Sequence, residues 1–180
     1  MLAALIKRYW QVCLFKETPA NTPYSFLLLS IITIFFYLLM VLQWVIADIS
    51  EIISYESLLL AGITLIASYI FYTYALLIIY KFSSRIVQTL SCLIASHAIV
   101  HVLAFPLLLV APIITQSNIN PLLGLIISVL YLIFTLILTI WQFMVSVHIY
   151  KHALGIENIP AILASFGLLS CNILIVSLWR

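Results

Sequence analysis

Charge is what this sequence has least of. Seven Lys or Arg and five Asp or Glu make up 7% of the 180 residues, while hydrophobic residues make up 66%. Soluble domains carry about 25% charged residues, which cover their surface in water. This chain cannot do so, and we expect lipid to solvate most of its surface. The net charge of +2 is also too small and too scattered for a nucleic-acid surface, so no nucleic-acid partner is expected.

Motifs for chemistry are missing too. The three cysteines, Cys13, Cys92 and Cys171, are odd in number and form no Cys-x-x-Cys pair, which argues against a disulfide framework or a thiol relay. The sequence contains no Ser/His/Asp arrangement, glycine-rich phosphate loop, carboxylate pair or metalloprotease motif. We therefore predict a protein that is not an enzyme, with no catalytic residue, no cofactor and no metal ligand.

Long apolar runs are what the chain has instead. A membrane-spanning helix needs about 20 apolar residues, and in lipid it must be helical because its backbone groups find no water. Five runs qualify, and they predict an all-α membrane protein: a bundle of five transmembrane helices in one integral membrane domain, 1–180. Pro106 and Pro112 lie in the third run, so a re-entrant third run is the alternative. The predicted spans are 25–47, 58–80, 89–114, 122–147 and 159–178.

The loops between these runs alternate in charge. The first loop holds Asp48, Glu51 and Glu56 and no base. The positive-inside rule places basic loops in the cytoplasm, which predicts a cytoplasmic N-terminus and a C-terminus outside. We expect a multi-pass protein of a cell inner membrane with a periplasmic C-terminus. Six of the seven basic residues fall on the cytoplasmic side of this scheme: Lys7, Arg8, Lys16, Lys81, Arg85 and Lys151.

The segment before the first span, 1–17, predicts a short amphipathic helix lying in the membrane interface. Lys7 and Arg8 interrupt its apolar residues, which argues against a signal peptide and leaves a frayed cytoplasmic tail as the alternative. Two prolines then mark a turn into the membrane, with Thr22 expected to cap a helix that begins at Pro23. The apolar face of the predicted interfacial helix consists of Leu2, Leu5, Ile6, Tyr9, Trp10 and Cys13.

Polar residues inside the spans form the candidate site. His97 and His101 are four residues apart and share a helix face. At 1.5 Å per residue, Tyr72 and Gln142 fall at about the depth of His97. We predict an intramembrane polar cluster of Tyr72, His97 and Gln142, with His101 extending it toward the bilayer centre. In the outer half, Gln43 and Asn172 lie at similar depth, and we expect them to hydrogen-bond to each other.

Three interpretations of this cluster are open. Its side chains act as interhelical hydrogen bonds, or they line a proton or substrate path in a small transporter, or histidines bind a metal or haem. The transport interpretation lacks an Asp, Glu, Lys or Arg inside a predicted span. The metal interpretation would combine His97 and His101 with His148 and His152, whose depths differ by roughly 10 Å. We favour interhelical bonding.

Three segments resemble the Yip1-domain membrane proteins, in particular small bacterial members. They are Thr18-Pro-Ala-Asn-Thr-Pro-Tyr-Ser25, Arg85-Ile-Val-Gln-Thr-Leu90 and His148-Ile-Tyr-Lys-His-Ala-Leu-Gly155. The resemblance also includes five spans and a cytoplasmic N-terminus, and it implies a five-helix bundle without catalysis and without site residues. The expected function is a membrane scaffold or assembly partner, acting in the lipid bilayer on a membrane protein or a second copy. The alternative is a small transporter or permease component.

Overall fold

The computed structural model describes residues 2–47, 54–115 and 121–179. Within these ranges the chain is all-helical, with six α-helices and no strand. The five helices from α2 to α6 are long and apolar enough to span a membrane, as a polytopic membrane protein requires. The helices are α1 Leu2–Cys13, α2 Phe26–Ile46, α3 Tyr55–Ile79, α4 Ile86–Thr115, α5 Pro121–Leu154 and α6 Asn158–Leu178, with 3₁₀ turns at Pro19–Asn21 and Ser83–Arg85.

The starts of the first two spans are set by serine caps. The Ser25 hydroxyl accepts a hydrogen bond from the Leu28 N–H at 3.3 Å, and Ser54 does the same for Ser57. Both satisfy backbone donors that a helix leaves open in its first turn. The expectation that Thr22 caps the first span was wrong. Its buried hydroxyl instead donates to the Pro19 carbonyl at 2.7 Å, which closes the preceding 3₁₀ turn.

The two longest helices, α4 and α5, bear on two of the predictions. α4 is continuous through Pro106, so the third run is one unbroken helix, long and apolar enough to span a membrane, and the re-entrant alternative is wrong. α5 has 34 residues and continues seven residues beyond the predicted end at 147. His148, Lys151 and His152 ended the apolar pattern there, but they do not break a helix. At 1.5 Å per residue α5 is about 51 Å long, well over the ~30 Å hydrocarbon core of a bilayer.

The bundle is organised around the first half of α4. Every residue from Thr89 to Ala98 is buried, so this segment is enclosed on all sides by the other helices. α4 packs against α2, α3, α5 and also α1. We call the end where α4 begins the α1 end, because α1 packs there against α4 and α5, and the opposite end the far end.

α1 docks through part of the predicted apolar face, Tyr9 and Cys13, together with Val12. Tyr9, Val12 and Cys13 are buried against the bundle, but Ile6 and Trp10 are 57% and 38% exposed. The apolar residues therefore divide between a protein-facing and an outward-facing stripe. Burial raises the pKa of the Cys13 thiol to about 12, and burial likewise raises the pKa of Tyr9 to about 12.

Candidate functional site

His97 lies at the centre of the candidate site. It is buried in α4, with its ring 4.9 Å from that of Tyr69 and 6.4 Å from that of Phe36, measured between centroids. Its Nδ1 lies 2.7 Å from the Leu93 carbonyl oxygen, one turn earlier in α4. Because a carbonyl can only accept, Nδ1 carries the proton of the neutral ring. Nε2 then presents a lone pair.

A cavity of about 90 Å³ opens beside His97, between α3, α4, α5 and α6. Several polar side chains lie in its wall, and none of the described residues that line it is an Asp, Glu, Lys or Arg. The site can therefore exchange hydrogen bonds with a neutral molecule but offers no countercharge to an ion. The cavity is lined by Tyr69, His97, Thr139, Gln142, Phe143, Ser146, Ser165, Leu168, Leu169 and Asn172.

Only part of the predicted cluster meets at this cavity. His97 and Gln142 both line it. Tyr72 and His101 lie outside it: the Tyr72 hydroxyl donates to the Ala164 carbonyl on α6 at 2.7 Å, and the His101 ring contacts Phe36 at 5.4 Å between centroids. Helix periodicity places Tyr69 and Tyr72 on neighbouring faces, and α3 is rotated so that Tyr69 faces His97.

His101 instead forms a reciprocal pair with Gln43 on α2. The His101 Nδ1–H donates to Gln43 Oε1 at 2.5 Å, and Gln43 Nε2 donates to the His101 backbone carbonyl at 2.7 Å. Gln43 is buried, and inside a membrane no water would bond to its amide. The two hydrogen bonds therefore satisfy polar groups that would otherwise have no partner. The expectation that Gln43 bonds to Asn172 was wrong, because each residue has a different partner.

Asn172 belongs to the cavity. Its Oδ1 accepts a hydrogen bond from the Ser68 hydroxyl on α3 at 2.9 Å, and its side chain is within reach of the Tyr69 hydroxyl. Sequence reasoning missed Ser68 and Tyr69 as partners. The signal was available, since Ser68, Tyr69 and Asn172 fall at one depth. To choose between Tyr69 and Tyr72 one must know how α3 is rotated about its axis. A helix that is apolar on all sides gives little sign of that rotation in its sequence.

The second histidine pair has a structural role at the α1 end. The His148 Nε2–H donates to the Glu17 carbonyl at 2.9 Å, and its ring packs on Phe15 at 5.4 Å between centroids. His152 stacks at 4.4 Å from His148 and is exposed. Both histidines therefore have a protein partner, because the His152 Nδ1–H also donates to the His148 carbonyl at 2.9 Å. Among the described residues, no group of three or more His, Cys, Asp or Glu could hold a metal ion.

Side chains of α4 and α5 also fasten the segment that follows α1. The Trp141 Nε1–H donates to the Cys13 carbonyl at 3.0 Å, and Gln88 Nε2 donates to the Thr22 carbonyl at 2.8 Å. Arg8 of α1 donates to the Asn21 carbonyl at 2.8 Å. These donors satisfy carbonyls that the end of α1 and the turn after it leave without helical partners. α1 is therefore an integral part of the packing.

Comparison of the chain with protein-family models, with curated proteins and with solved structures finds no match. The geometry of the helices and of the cavity therefore carries the functional argument.

Proposed function

We propose that this protein is a non-enzymatic membrane scaffold or assembly partner of the Yip1-like type. The observation that carries the proposal is the use of polar residues inside the spans. Several of them bond across helices, as interhelical hydrogen bonds do, while His97 and Gln142 lie at the cavity. The pairs are Gln43 with His101, Ser68 with Asn172, Thr73 with Tyr150, and Tyr72 with the Ala164 carbonyl.

A surface for a partner lies at the far end. From Leu122 to Met144, α5 has no buried residue, and most of its side chains there are large and apolar. Lipid, a membrane-protein partner or a second copy are the surroundings in which such a surface is stable. A scaffold would use this face of α5 for assembly while the α1 end holds the fold.

The proposed setting is a cell inner membrane with the α1 end at the cytoplasm. Lys7, Arg8 and Lys16 are exposed there, which suits the anionic headgroups of a cytoplasmic leaflet. The outward stripe of α1, with Ile6 and Trp10, fits the proposed interfacial placement because it offers apolar surface to the acyl boundary. α1 would thus contact protein on one side and lipid on the other.

A small transporter component is the second candidate, and the cavity beside His97 favours it. The cavity lies within the apolar helices and has several polar side chains in a mostly apolar wall, as a substrate site would. Against this candidate, its wall holds no ionised residue to couple ion movement to transport. The scaffold proposal therefore comes first.

Photocrosslinking in the native membrane tests the scaffold proposal. We would place p-benzoylphenylalanine at Leu132, exposed on the far half of α5, and at Phe71, equally exposed on α3 as the matched control. A scaffold predicts a discrete protein adduct at Leu132, identified by mass spectrometry after purification in mild detergent. The adduct is either one membrane protein or a second copy. Lipid adducts alone at both positions would contradict the proposal.

A further inference from the structure

Two polar groups at the cavity wall have no hydrogen-bond partner among the residues that the structure describes. His97 bonds through Nδ1 only, so its Nε2 lone pair has no hydrogen bond to any described residue. The Gln142 side-chain amide likewise makes none, since only its backbone carbonyl is used, by Ser146. His97 is buried with 4% of its surface exposed, which makes an unpaired acceptor costly unless something occupies the cavity.

The two unpaired groups define the chemistry of an occupant. His97 Nε2 is an acceptor in the tautomer that Leu93 imposes, and the Gln142 amide nitrogen is a donor. A hydroxyl group satisfies both, because it donates one hydrogen bond and accepts others. A carbonyl has no proton for His97, and an ion would find no countercharge in the wall. The complementary ligand group is a neutral hydroxyl.

The position of the cavity opening indicates from which surroundings a hydroxyl-bearing ligand would enter. Thr139 of α5 and Leu169 of α6 line the cavity and are exposed, while Tyr69, Ser146 and Ser165 are buried. The opening therefore lies between α5 and α6, on the side of the bundle. His97 is eleven residues into α4, about 16 Å from its start and near the middle of a ~30 Å hydrocarbon core. At that depth the opening faces acyl chains.

The size of the cavity limits what enters it. Its volume of about 90 Å³ is below the ~150 Å³ of an engineered cavity that holds benzene. A ring or a sugar headgroup is therefore too large, whereas a hydroxyl with its first carbons fits. Leu168, Leu169 and Phe143 form the apolar part of the wall, along which a hydrocarbon chain can continue outward.

We propose that the cavity between α3, α4, α5 and α6 binds the hydroxyl end of a neutral, membrane-dissolved alcohol. The hydroxyl donates to His97 Nε2 and accepts from the Gln142 amide, and the hydrocarbon chain leaves between α5 and α6. This site goes beyond the scaffold function, which uses the outer face of α5. Water is the other source of a hydroxyl, and the experiment separates the two.

Photolabelling of the purified chain in nanodiscs tests the proposal. The probe is a hexadecanol that carries a diazirine on its second carbon, and the matched control is its methyl ether, which accepts but cannot donate. We expect the alcohol to label peptides of α5 and α6 about fivefold more than the ether, the effect of one hydrogen bond. Gln142→Met keeps the side-chain size, removes the amide and should reduce alcohol labelling to the ether level.

Two further variants make the outcome unambiguous. Thr135→Val alters a polar group on the same helix whose hydroxyl bonds, among the described residues, only to the Tyr131 carbonyl, so it should label like the natural chain. His97→Leu should lose labelling like Gln142→Met. Because Gln142 has no side-chain partner to lose, its variant should fold even where the His97 variant does not. Equal labelling by alcohol and ether means a cavity filled by water only and overturns the proposal, while the Leu132 crosslink would be unaffected.

Discussion

The far halves of α4 and α5 are more apolar in sequence than the halves at the α1 end, yet they are much less buried. In the α1 half, α4 is buried without a break from Thr89 to Ala98. Of the last eight positions of α5, from Val147 to Leu154, five are buried and two are half-buried. In the far half, α4 beyond Val100 and α5 before Val145 have no buried residue among those whose side chains the structure describes. Lipid and protein interiors are equally apolar, so hydropathy alone cannot separate these two environments.

The two halves also differ in how much their contacts contribute to the stability of the fold. In the α1 half, the side chains of Trp141, Gln88 and His148 donate hydrogen bonds to backbone carbonyls of the segment 13–22 and so fix its position. The far half depends on α2 and α3, where Met40, Gln43 and Leu58 are buried, and leaves α5 open. An assembly surface is best placed where its exposure costs the fold little, and the far half of α5 meets that condition.

The orientation of the two ends gives the largest expected effect, an on-or-off signal. A reporter active only outside the cytoplasm should be active when fused after Tyr55, at the far end, and silent when fused after Ser84, at the α1 end. Activity assays on membranes from matched expression levels measure this. Equal activity at both positions would place the two ends on the same side of the membrane and contradict the predicted five-span topology.

A pair of leucines on α4 compares the two halves directly. Leu93 is fully buried in the α1 half, and Leu109 is 58% exposed in the far half. Leu93→Ala should lower the free energy of unfolding by about 2 kcal/mol or more, because it leaves a cavity in a packed region. Leu109→Ala should change it by less than about 0.5 kcal/mol, since lipid replaces the lost contacts. Unfolding in mixed micelles of increasing SDS content measures both, and similar losses would mean that the far half is packed as well.

The sequence was sufficient for the coarse fold. Five apolar runs correctly predicted five helices long and apolar enough to span a membrane. In lipid a long apolar segment must be helical, because its backbone groups find no other partners. The ends of the helices were less predictable. The polar residues after 147 predicted a loop, but α5 continues to Leu154, where its residues pack against the α1 end. The docking of α1 through Tyr9, Val12 and Cys13 also depends on where α4 and α5 lie.

The candidate site was predictable in its depth and only partly in its partners. His97 and Gln142 were placed together from helical rise, and both line the cavity. Rise fixes depth, but rotation about each helix axis decides contacts, and a helix apolar on all sides gives little sign of its rotation. For this reason Tyr69 rather than Tyr72 faces His97, and Gln43 bonds to His101 rather than to Asn172.

The reciprocal pair of Gln43 and His101 gives the smallest expected effect and tests whether the far half has specific packing at all. Gln43→Leu removes both hydrogen bonds and leaves the His101 Nδ1–H without its acceptor, so it should lower the free energy of unfolding by about 1 to 2 kcal/mol. His101→Leu should cost a similar amount. In the double variant no unpaired side-chain group is left, so the combined loss should fall short of the sum of the single losses by roughly 0.6 to 1.7 kcal/mol.

The same SDS titration measures this coupling between Gln43 and His101. Ser30→Ala serves as a control because, among the described residues, the exposed Ser30 hydroxyl bonds only to the Phe26 carbonyl of its own helix. Losses that add to within about 0.3 kcal/mol would show that α2 and α4 do not hold each other through this pair. The far half would then be stabilised by apolar contacts alone.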